Sequence, residues 1–239
     1  MYALNREHNI HIYRFDCLPS TQEYCKEHRD TGEEMAVFAA CQSGGKGTKG
    51  RSFESEKGGL YCSILLRDTG AASEAFLCVA RAAVAVCKTL EEYGLSPVLK
   101  WPNDVFCGGK KICGILIENL FRGNQIAATI WGIGLNINNA LSEGLQTIAT
   151  SMKAQTGKTY SVEEVEQVLL RHFFAPFSYE EYASRLGFLG RTVTLSAGEE
   201  TLRATLQSVT PQGELVALVE GQVRRFSYGE VSITKDSIA

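Results

Sequence analysis

Two apolar runs, Ile112–Glu118 and Ile126–Ile137, lie on either side of the short polar stretch Arg122-Gly123-Asn124. Runs of strand length parted by such a turn bury their apolar side chains by folding back on each other, so they are expected to be antiparallel neighbours. The other elements must be arranged around that hairpin. Ahead of it, strands are expected at His11–Phe15, Met35–Cys41, Leu60–Leu66, Val98–Trp101 and Val105–Cys107, with Arg67-Asp68-Thr69-Gly70 ending the third. Helical patterns fall at Ser20–Arg29, Ala72–Tyr93 and Ser161–Phe177. Ser20/Glu23 and Ser161/Glu164 have the spacing of capping boxes. Ser73 can cap the second helix, whose stripe is Phe76, Ala80, Ala83, Val84 and Cys87, and Gly94 is placed to stop it.

After Gly187 the pattern changes. Short strands at Thr192–Leu195, Leu202–Ser208, Glu214–Val219 and Gln222–Ser227 are broken by Ala197-Gly198, Pro211-Gln212-Gly213 and Glu220-Gly221. Turn signals this closely spaced predict a small antiparallel barrel or sandwich. The expected architecture is α+β: residues 1–186 form a mixed or antiparallel sheet with flanking helices, and residues 187–239 form a compact β-domain.

Composition narrows the class. Of the 239 residues, 44% are hydrophobic and 21% charged, which is ordinary for a globular chain and excludes a mostly disordered one. Lysine and arginine number 24 against 27 aspartates and glutamates, a formal charge of −3 that argues against a protein built to grip nucleic acid. The opening MYALNREHNIHIYRF has charges where a signal peptide needs an apolar core, and Ile126–Leu135 is about half the ~20 residues of a membrane span. A cytoplasmic protein is expected. The eight cysteines include no CxxC pair and read as small buried thiols in a reducing compartment, without the second ligand pair a zinc site needs.

Four segments carry chemistry. Gly44-Gly45-Lys46-Gly47-Thr48-Lys49-Gly50-Arg51 matches GxGxxG formally and nearly matches a Walker A loop. Both motifs need a helix directly afterwards to hold phosphates, and the chain instead runs through Phe53-Glu54-Ser55-Glu56-Lys57-Gly58-Gly59 into a strand. What remains is a flexible loop with three cations among four glycines, either a grip for phosphate or carboxylate or a solvated surface loop. Lys100-Trp101-Pro102-Asn103-Asp104 places a Lys, an Asn and an Asp on one stiff bend, and is also an ordinary turn sequence. Gly108-Gly109-Lys110-Lys111 leads into Ile112-Cys113-Gly114-Ile115-Leu116-Ile117-Glu118, a strand expected to be buried on both faces, from whose mouth a lysine can reach inward. Trp131-Gly132-Ile133-Gly134-Leu135-Asn136-Ile137-Asn138 has two glycines in an otherwise regular strand, signalling close approach by a crossing strand or by a planar ligand.

In this order and spacing the four segments, with Phe226-Ser227-Tyr228-Gly229-Glu230-Val231 near the C-terminus, resemble a biotin–protein ligase over essentially the whole chain. The short N-terminus leaves no room for a helix-turn-helix, so the likeness is to the short ligases without a DNA-binding domain. The resemblance implies a class II synthetase-like ligase core followed by a Src-homology-3-like β-barrel. It also implies that biotin and ATP, with Mg2+, condense to biotinyl-5′-AMP, which then modifies a lysine of a biotin carboxyl carrier domain. No DNA or membrane partner is implied, and the chain is expected to be a monomer or homodimer.

The resemblance assigns Lys111, Lys46 and Arg51 to catalysis. Lys111 would meet both the biotin carboxylate and the α-phosphate. Biotin would be held by Ser20, Thr21, Gln22, Gln42, Lys46, Gly47, Thr48, Lys111 and Gly114, the first four around its ureido end. ATP would be held by Lys49, Arg51, Phe53, Lys100, Asn103, Asp104 and Asn136, with Phe53 offering a stacking face where the family often has Trp. Asp104 would also meet the metal.

Three positions depart from the family pattern: Pro19 stands for the usual acidic residue, Gln22 for Asn, and Gly45-Lys46-Gly47-Thr48 for Gly-Arg-Gly-Arg. Losing an arginine at Thr48 removes a charge and a bidentate fork, which implies looser retention of the adenylate. Three other readings compete. A lipoate or octanoate ligase or transferase shares the fold but needs a pocket for an apolar tail. A non-catalytic module leaves the lysine-bearing segments unexplained, and a DNA-binding repressor conflicts with the acidic balance.

Overall fold

The expected hairpin forms, its first strand longer than the apolar run and its second ending two residues short of Ile137. In the computed structural model, which describes residues 9–234 apart from Glu199 and the Lys49 side chain, β6 (Lys110–Arg122) and β7 (Gln125–Leu135) pair antiparallel around Gly123-Asn124. On its other edge β7 pairs with β3 (Leu60–Ala71), putting these three strands at the centre of a seven-stranded sheet. Beyond β3 lie β2 (Glu34–Ala39) and β1 (Ile10–Phe15); beyond β6 lie β5 (Asp104–Cys107) and β4 (Val98–Lys100). Only β1 and β2 run parallel, so the sheet is mixed, as expected. β3 runs past the signals read as its stop. Arg67-Asp68-Thr69-Gly70 is absorbed as a bulge, with Asp68 at φ +48°, and pairing resumes at Gly70.

One face of the sheet is covered by α2 (Ala75–Glu92). Ala72–Glu74 forms a short 3₁₀ turn ahead of it, so Ser73 lies before the helix instead of capping it. Burial on α2 extends well beyond the five-residue stripe because α5 (Val162–Phe174) packs on it from outside. Ser161 caps α5 by accepting from the Glu164 amide at 3.2 Å, and the helix ends before Ala175-Pro176, where the residue preceding proline leaves the helical region. Three short helices were not foreseen: α3 (Glu143–Gln146), α4 (Met152–Thr156) and α6 (Tyr179–Ala183). The last has a complete Ser178/Glu181 capping box, a signal present in the sequence.

The opposite face is covered only in part. α1 (Thr21–Glu27) sits on it over Met35, Val37, Leu65, Ala128 and Ile130. Beside α1 that face stays open along Gly114, Leu116 and Glu118 of β6, so this strand is half-buried, not buried on both faces.

After Gly187 a second sheet is built from β8 (Thr192–Ala197), β9 (Glu200–Val209), β10 (Leu215–Val219), β11 (Gln222–Phe226) and β12 (Ser232–Ile233), antiparallel in the order β11-β10-β9-β8-β12. This is the small antiparallel β-domain expected after Gly187, and among the described residues no pair joins β12 back to β11. The two sheets share one apolar cluster, which runs from Phe76, Leu99 and Trp101 to Val193, Leu206 and Leu215. Trp101 Nε1 donates to the Gly213 carbonyl at 3.0 Å, and the Tyr179 hydroxyl donates to that of Val209. Among the described residues no helix is long and apolar enough to cross a membrane.

Gly213 is the tightest point of this junction. Its φ is +88°, and a Cβ there would stand 2.2 Å from Phe76 Cδ2. Gly213→Ala should therefore cost about 2 kcal/mol through strain and overpacking. A fall in the urea midpoint with an unchanged m-value is the expected result.

Candidate functional site

The open face beside α1 is a cleft of about 470 Å3, counting its solvent-filled mouth. It exists because the β6–β7 register sets Gly114 opposite Gly134 and Leu116 opposite Gly132, removing side chains from the floor. The approach signalled by these glycines is made by the chain's own side chains. The Phe53 ring lies over the pair: a Cβ on Gly134 would be 2.6 Å from its Cε1, and one on Gly114 3.1 Å from its Cε2. Gln22 covers Gly132, where a Cβ would be 2.6 Å from Oε1.

α1 brings three of the expected residues to the rim. Ser20 is its N-cap and accepts from the Glu23 amide at 3.4 Å, but the Glu23 carboxylate turns outward to lysines instead of closing the capping box. Thr21 and Gln22, both buried, join a continuous polar chain. Gln42 Oε1 accepts from the Thr21 amide at 2.9 Å, the Thr21 and Ser63 hydroxyls are 2.9 Å apart, and Ser63 donates to Gln22 Oε1 at 3.1 Å. At the ends, Gln42 Nε2 donates to Ser55 Oγ at 2.8 Å and Gln22 Nε2 to Glu118 Oε1 at 3.2 Å. Ser55, Ser63 and Glu118 were not foreseen. Ser63 had a signal, as the one polar residue inside the run Leu60–Leu66.

The glycine-rich loop folds back on itself as a hairpin. Lys46 bridges Ser52, the Gly47 amide donates to the Arg51 carbonyl at 2.7 Å, and the Phe53 amide donates to that of Gly45 at 2.9 Å. Gly45 is required by this folding back, since a Cβ would lie 2.4 Å from the Phe53 carbonyl oxygen. No α-helix follows; Thr48–Gly50 makes one 3₁₀ turn. Lys46, Gly47 and Thr48 line the cleft, whereas Arg51 is exposed outside the lining and the Lys49 side chain lies outside the described residues.

Two cations at the cleft are paired with carboxylates. Lys46 Nζ is 2.7 Å from Glu23 Oε1, an oxygen shared with Lys26 Nζ at 3.1 Å, and these partners hold the Glu23 carboxyl below its ordinary range. Lys111 lines the cleft beside Gly114, with Nζ 2.6 Å from Asp104 Oδ1. A parallel bridge to Ala149 anchors its backbone. Asn103 also lines the cleft while its Nδ2 donates to the Ile115 carbonyl.

The remaining expected residues lie apart from the lining. Asn136 is buried in the fold, donating to the Thr150 carbonyl at 3.1 Å and accepting from Asn139 at 3.1 Å. Lys100 sits at the end of β4 with Nζ 5.6 Å from the Phe106 ring centre. Asp104 reaches the cleft through Lys111. The cysteines also divide: six are buried as expected, but Cys17 is exposed and Cys41 half-buried, because both lie past the ends of β1 and β2.

Comparison with known proteins places this geometry in a family. The profile of the biotin/lipoate A/B protein ligase family matches residues 14–136. The bifunctional ligase/repressor BirA of Bacillus subtilis is 32% identical over 206 residues, 78% of this chain; the chain spans 63% of that relative's length. The biotin–[acetyl-CoA-carboxylase] ligase of Paracoccus denitrificans is 28% identical over 201 residues, 75% of this chain and 82% of the relative. A solved biotin protein ligase from Aquifex aeolicus, in complex with biotin and ATP, superposes with a TM-score of 0.79 at 30% identity, covering 93% of this chain and 98% of that one.

The Glu23–Lys46 pair ties the loop to α1. Because the folded-state pKa of Glu23 is depressed, the tie is complete above the ordinary carboxylate range and is lost as pH falls through the lowered value. The protection factors of the amides over residues 45–52, which are exchange rates corrected for the intrinsic pH dependence, should therefore fall on acidification, and at neutral pH in Glu23→Gln. Equal protection in the wild type and Glu23→Gln would remove this role.

Proposed function

The chain belongs to the biotin/lipoate A/B protein ligase family, and from that membership we propose that it is an ATP-dependent ligase that joins biotin to AMP and passes it to a lysine of a carboxyl carrier domain. One observation carries the choice of biotin: a polar chain of Thr21, Gln22, Gln42 and Ser63 shares the cleft with Lys111. That arrangement suits an acid with a hydrogen-bonding head at one end and a carboxylate at the other. A lipoyl or octanoyl tail has no group to hydrogen-bond to that polar chain, and a site built to hydrogen-bond its substrate can reject an analogue lacking the group by a factor of about 10⁴.

The first step brings together two anions. At ~4 Å and an effective dielectric of ~20, their repulsion is roughly 4 kcal/mol per charge pair. The Lys111 ammonium would offset it by exchanging Asp104 for the incoming carboxylate and α-phosphate, with Lys46 contributing from the loop. A biotin carboxylate oxygen attacks the α-phosphorus and pyrophosphate departs. The carrier's lysine amine then attacks the acyl carbon, loses a proton and releases AMP. Aligning the reacting atoms is the remaining task, and the anchored backbone at Lys111 serves it.

Arg51 and Lys100 are proposed to meet the nucleotide from outside the lining, and Lys49 is proposed to contact it as well. Phe53 would offer its ring to the adenine, with Asn103 beside it. The donor set fits magnesium, which takes one or two carboxylates together with substrate phosphates: Asp104 would hold it, and the ion would neutralise phosphate charge. Asn136, with its amide committed to Thr150 and Asn139, would act by shaping the cleft wall. In this reading residues 1–186 carry the chemistry, residues 187–239 form the smaller β unit, and the enzyme works in the cytoplasm.

Incubation with ATP, Mg2+ and a panel of small acids should yield an acyl-AMP with biotin alone, read by mass spectrometry. Product from lipoate or octanoate but not biotin would overturn the assignment. Lys111→Ala should lower biotin-dependent pyrophosphate exchange by about 10²–10³ with an unchanged melting temperature. Thr48 opens the loop's 3₁₀ turn within the cleft lining, so Thr48→Arg should slow release of the adenylate relative to the native chain. Equal release rates would dismiss that role.

A further inference from the structure

Cys17 and Cys41, the two cysteines that are not buried, face each other. β1 and β2 run parallel with Phe15 opposite Ala39, and the bridge from Leu18 to Gln42 keeps the same offset beyond the strand ends. Cys17 is therefore opposite Cys41. The ladder continues through this point: the Ala40 amide donates to the Phe15 carbonyl at 3.0 Å, and the Leu18 amide to the Cys41 carbonyl at 3.2 Å. The Cys41 thiol donates to the Asp16 carbonyl at 3.3 Å, on the segment that carries Cys17, and its pKa is raised, first by the neighbouring Cys17 and then by desolvation.

We propose that Cys17 and Cys41 are a redox modification site, forming a reversible disulfide that lowers the affinity of the cleft for its acid substrate. The effect on affinity rests on the ligase reading above. Neighbouring strands stand ~4.8 Å apart, inside the roughly 4.4–6.8 Å window that a disulfide allows between Cα atoms but short of its ~5.5–6 Å mode. Closing the bond spreads the strands by a fraction of an ångström. That spread falls one residue before Gln42 and three before Ser20, at the necks of both segments entering the cleft. It acts on the Thr21–Gln42 hydrogen bond, which joins those segments at 2.9 Å.

The oxidant is a small disulfide such as oxidised glutathione. The exposed Cys17 thiolate attacks one of its sulfurs and a first glutathione thiolate leaves. Cys41, as thiolate, then attacks the Cys17 sulfur and expels the second. The protein gives up two electrons and two protons, and two glutathione thiols carry them away. An exposed bond that must spread its strands is one that thiols reach and reduce again.

The test is equilibration of the full chain in glutathione buffers, alkylation of free thiols and peptide mapping, beside steady-state kinetics of biotinyl-AMP formation. Oxidation should give a Cys17–Cys41 peptide lighter by two hydrogens. The KM for biotin should rise roughly fivefold with kcat within about twofold, the scale of weakening one hydrogen bond of about 1 kcal/mol, and dithiothreitol should restore it. Cys17→Ser and Cys41→Ser should keep one KM in both buffers. Two alkylated thiols at every ratio, mixed disulfides alone, or a crosslinked chain with an unchanged KM would each overturn the proposal. A reduced chain that made no biotinyl-AMP would overturn the ligase reading instead, while the peptide map still decides the bond.

Discussion

The register of the β6–β7 hairpin is the constraint on which the rest of the site depends. With Gly114 opposite Gly134, two side-chain-free positions meet on the face beside α1, and a planar ring can lie flat on the sheet. Side chains alternate between faces, so a slip of one residue would turn Trp131 and Ile133 into the cleft and the glycines into the core. The core side resists that slip: Trp131 is buried against Phe173 and its Nε1 donates to the Cys78 carbonyl at 2.8 Å. Packing on one face thus holds the geometry of the other. Phe53, lying on the bare floor, is itself the end of the folded-back loop that begins at Gly45, so the loop's course and the floor's shape are settled together.

Much of this was legible in the chain, for identifiable reasons. Long apolar runs and turn residues place β6, β7 and β8 to β11 to within a few residues, since burial and turn geometry are local properties of sequence, whereas the two-residue β12 is too short to leave such a signal. The glycines at 114, 132 and 134 announce that something approaches the backbone, yet the occupants, Phe53 and Gln22, arrive from distant segments and cannot be read from neighbours. Asp68 and Gly70 look like a stop because a bulge uses the same residues as a turn. Ser73 shows the limit of capping arguments, for the extra turn at Ala72–Glu74 moves the helix start past it. Asn136 illustrates a further gap: its place in the Gly-rich strand motif suggests a ligand contact, while tertiary folding commits its amide to Thr150 and Asn139. Glu23 reads as a capping residue and proves to be a partner of lysines, because only the fold brings Lys46 to it.

The electrostatics of the cleft are those of occupied cations. Among the described residues two lysines line it, and each already rests against a side-chain carboxylate, Lys46 on Glu23 and Lys111 on Asp104, with neither pair deeply buried. Partial exposure keeps such pairs modest in strength, which lets them exchange partners. The polar chain from Gln22 to Ser55 has the opposite character. It is largely withdrawn from water and internally satisfied, so it sets shape more than charge.

Those occupied lysines make the pocket an ion exchanger in miniature. An arriving anion does not fall into bare positive potential; it must outcompete a resident counter-ion whose tether to the fold gives it a high local concentration. A lone monovalent solute such as acetate or chloride is a poor competitor on those terms, whereas a molecule presenting several negative oxygens can displace a carboxylate and keep the ammonium satisfied throughout. Freed Glu23 keeps its second partner, Lys26, and the Asp104 carboxylate becomes available to a cation that arrives with the ligand. Selectivity for polyvalent visitors over the abundant simple salts of the medium follows from this arrangement.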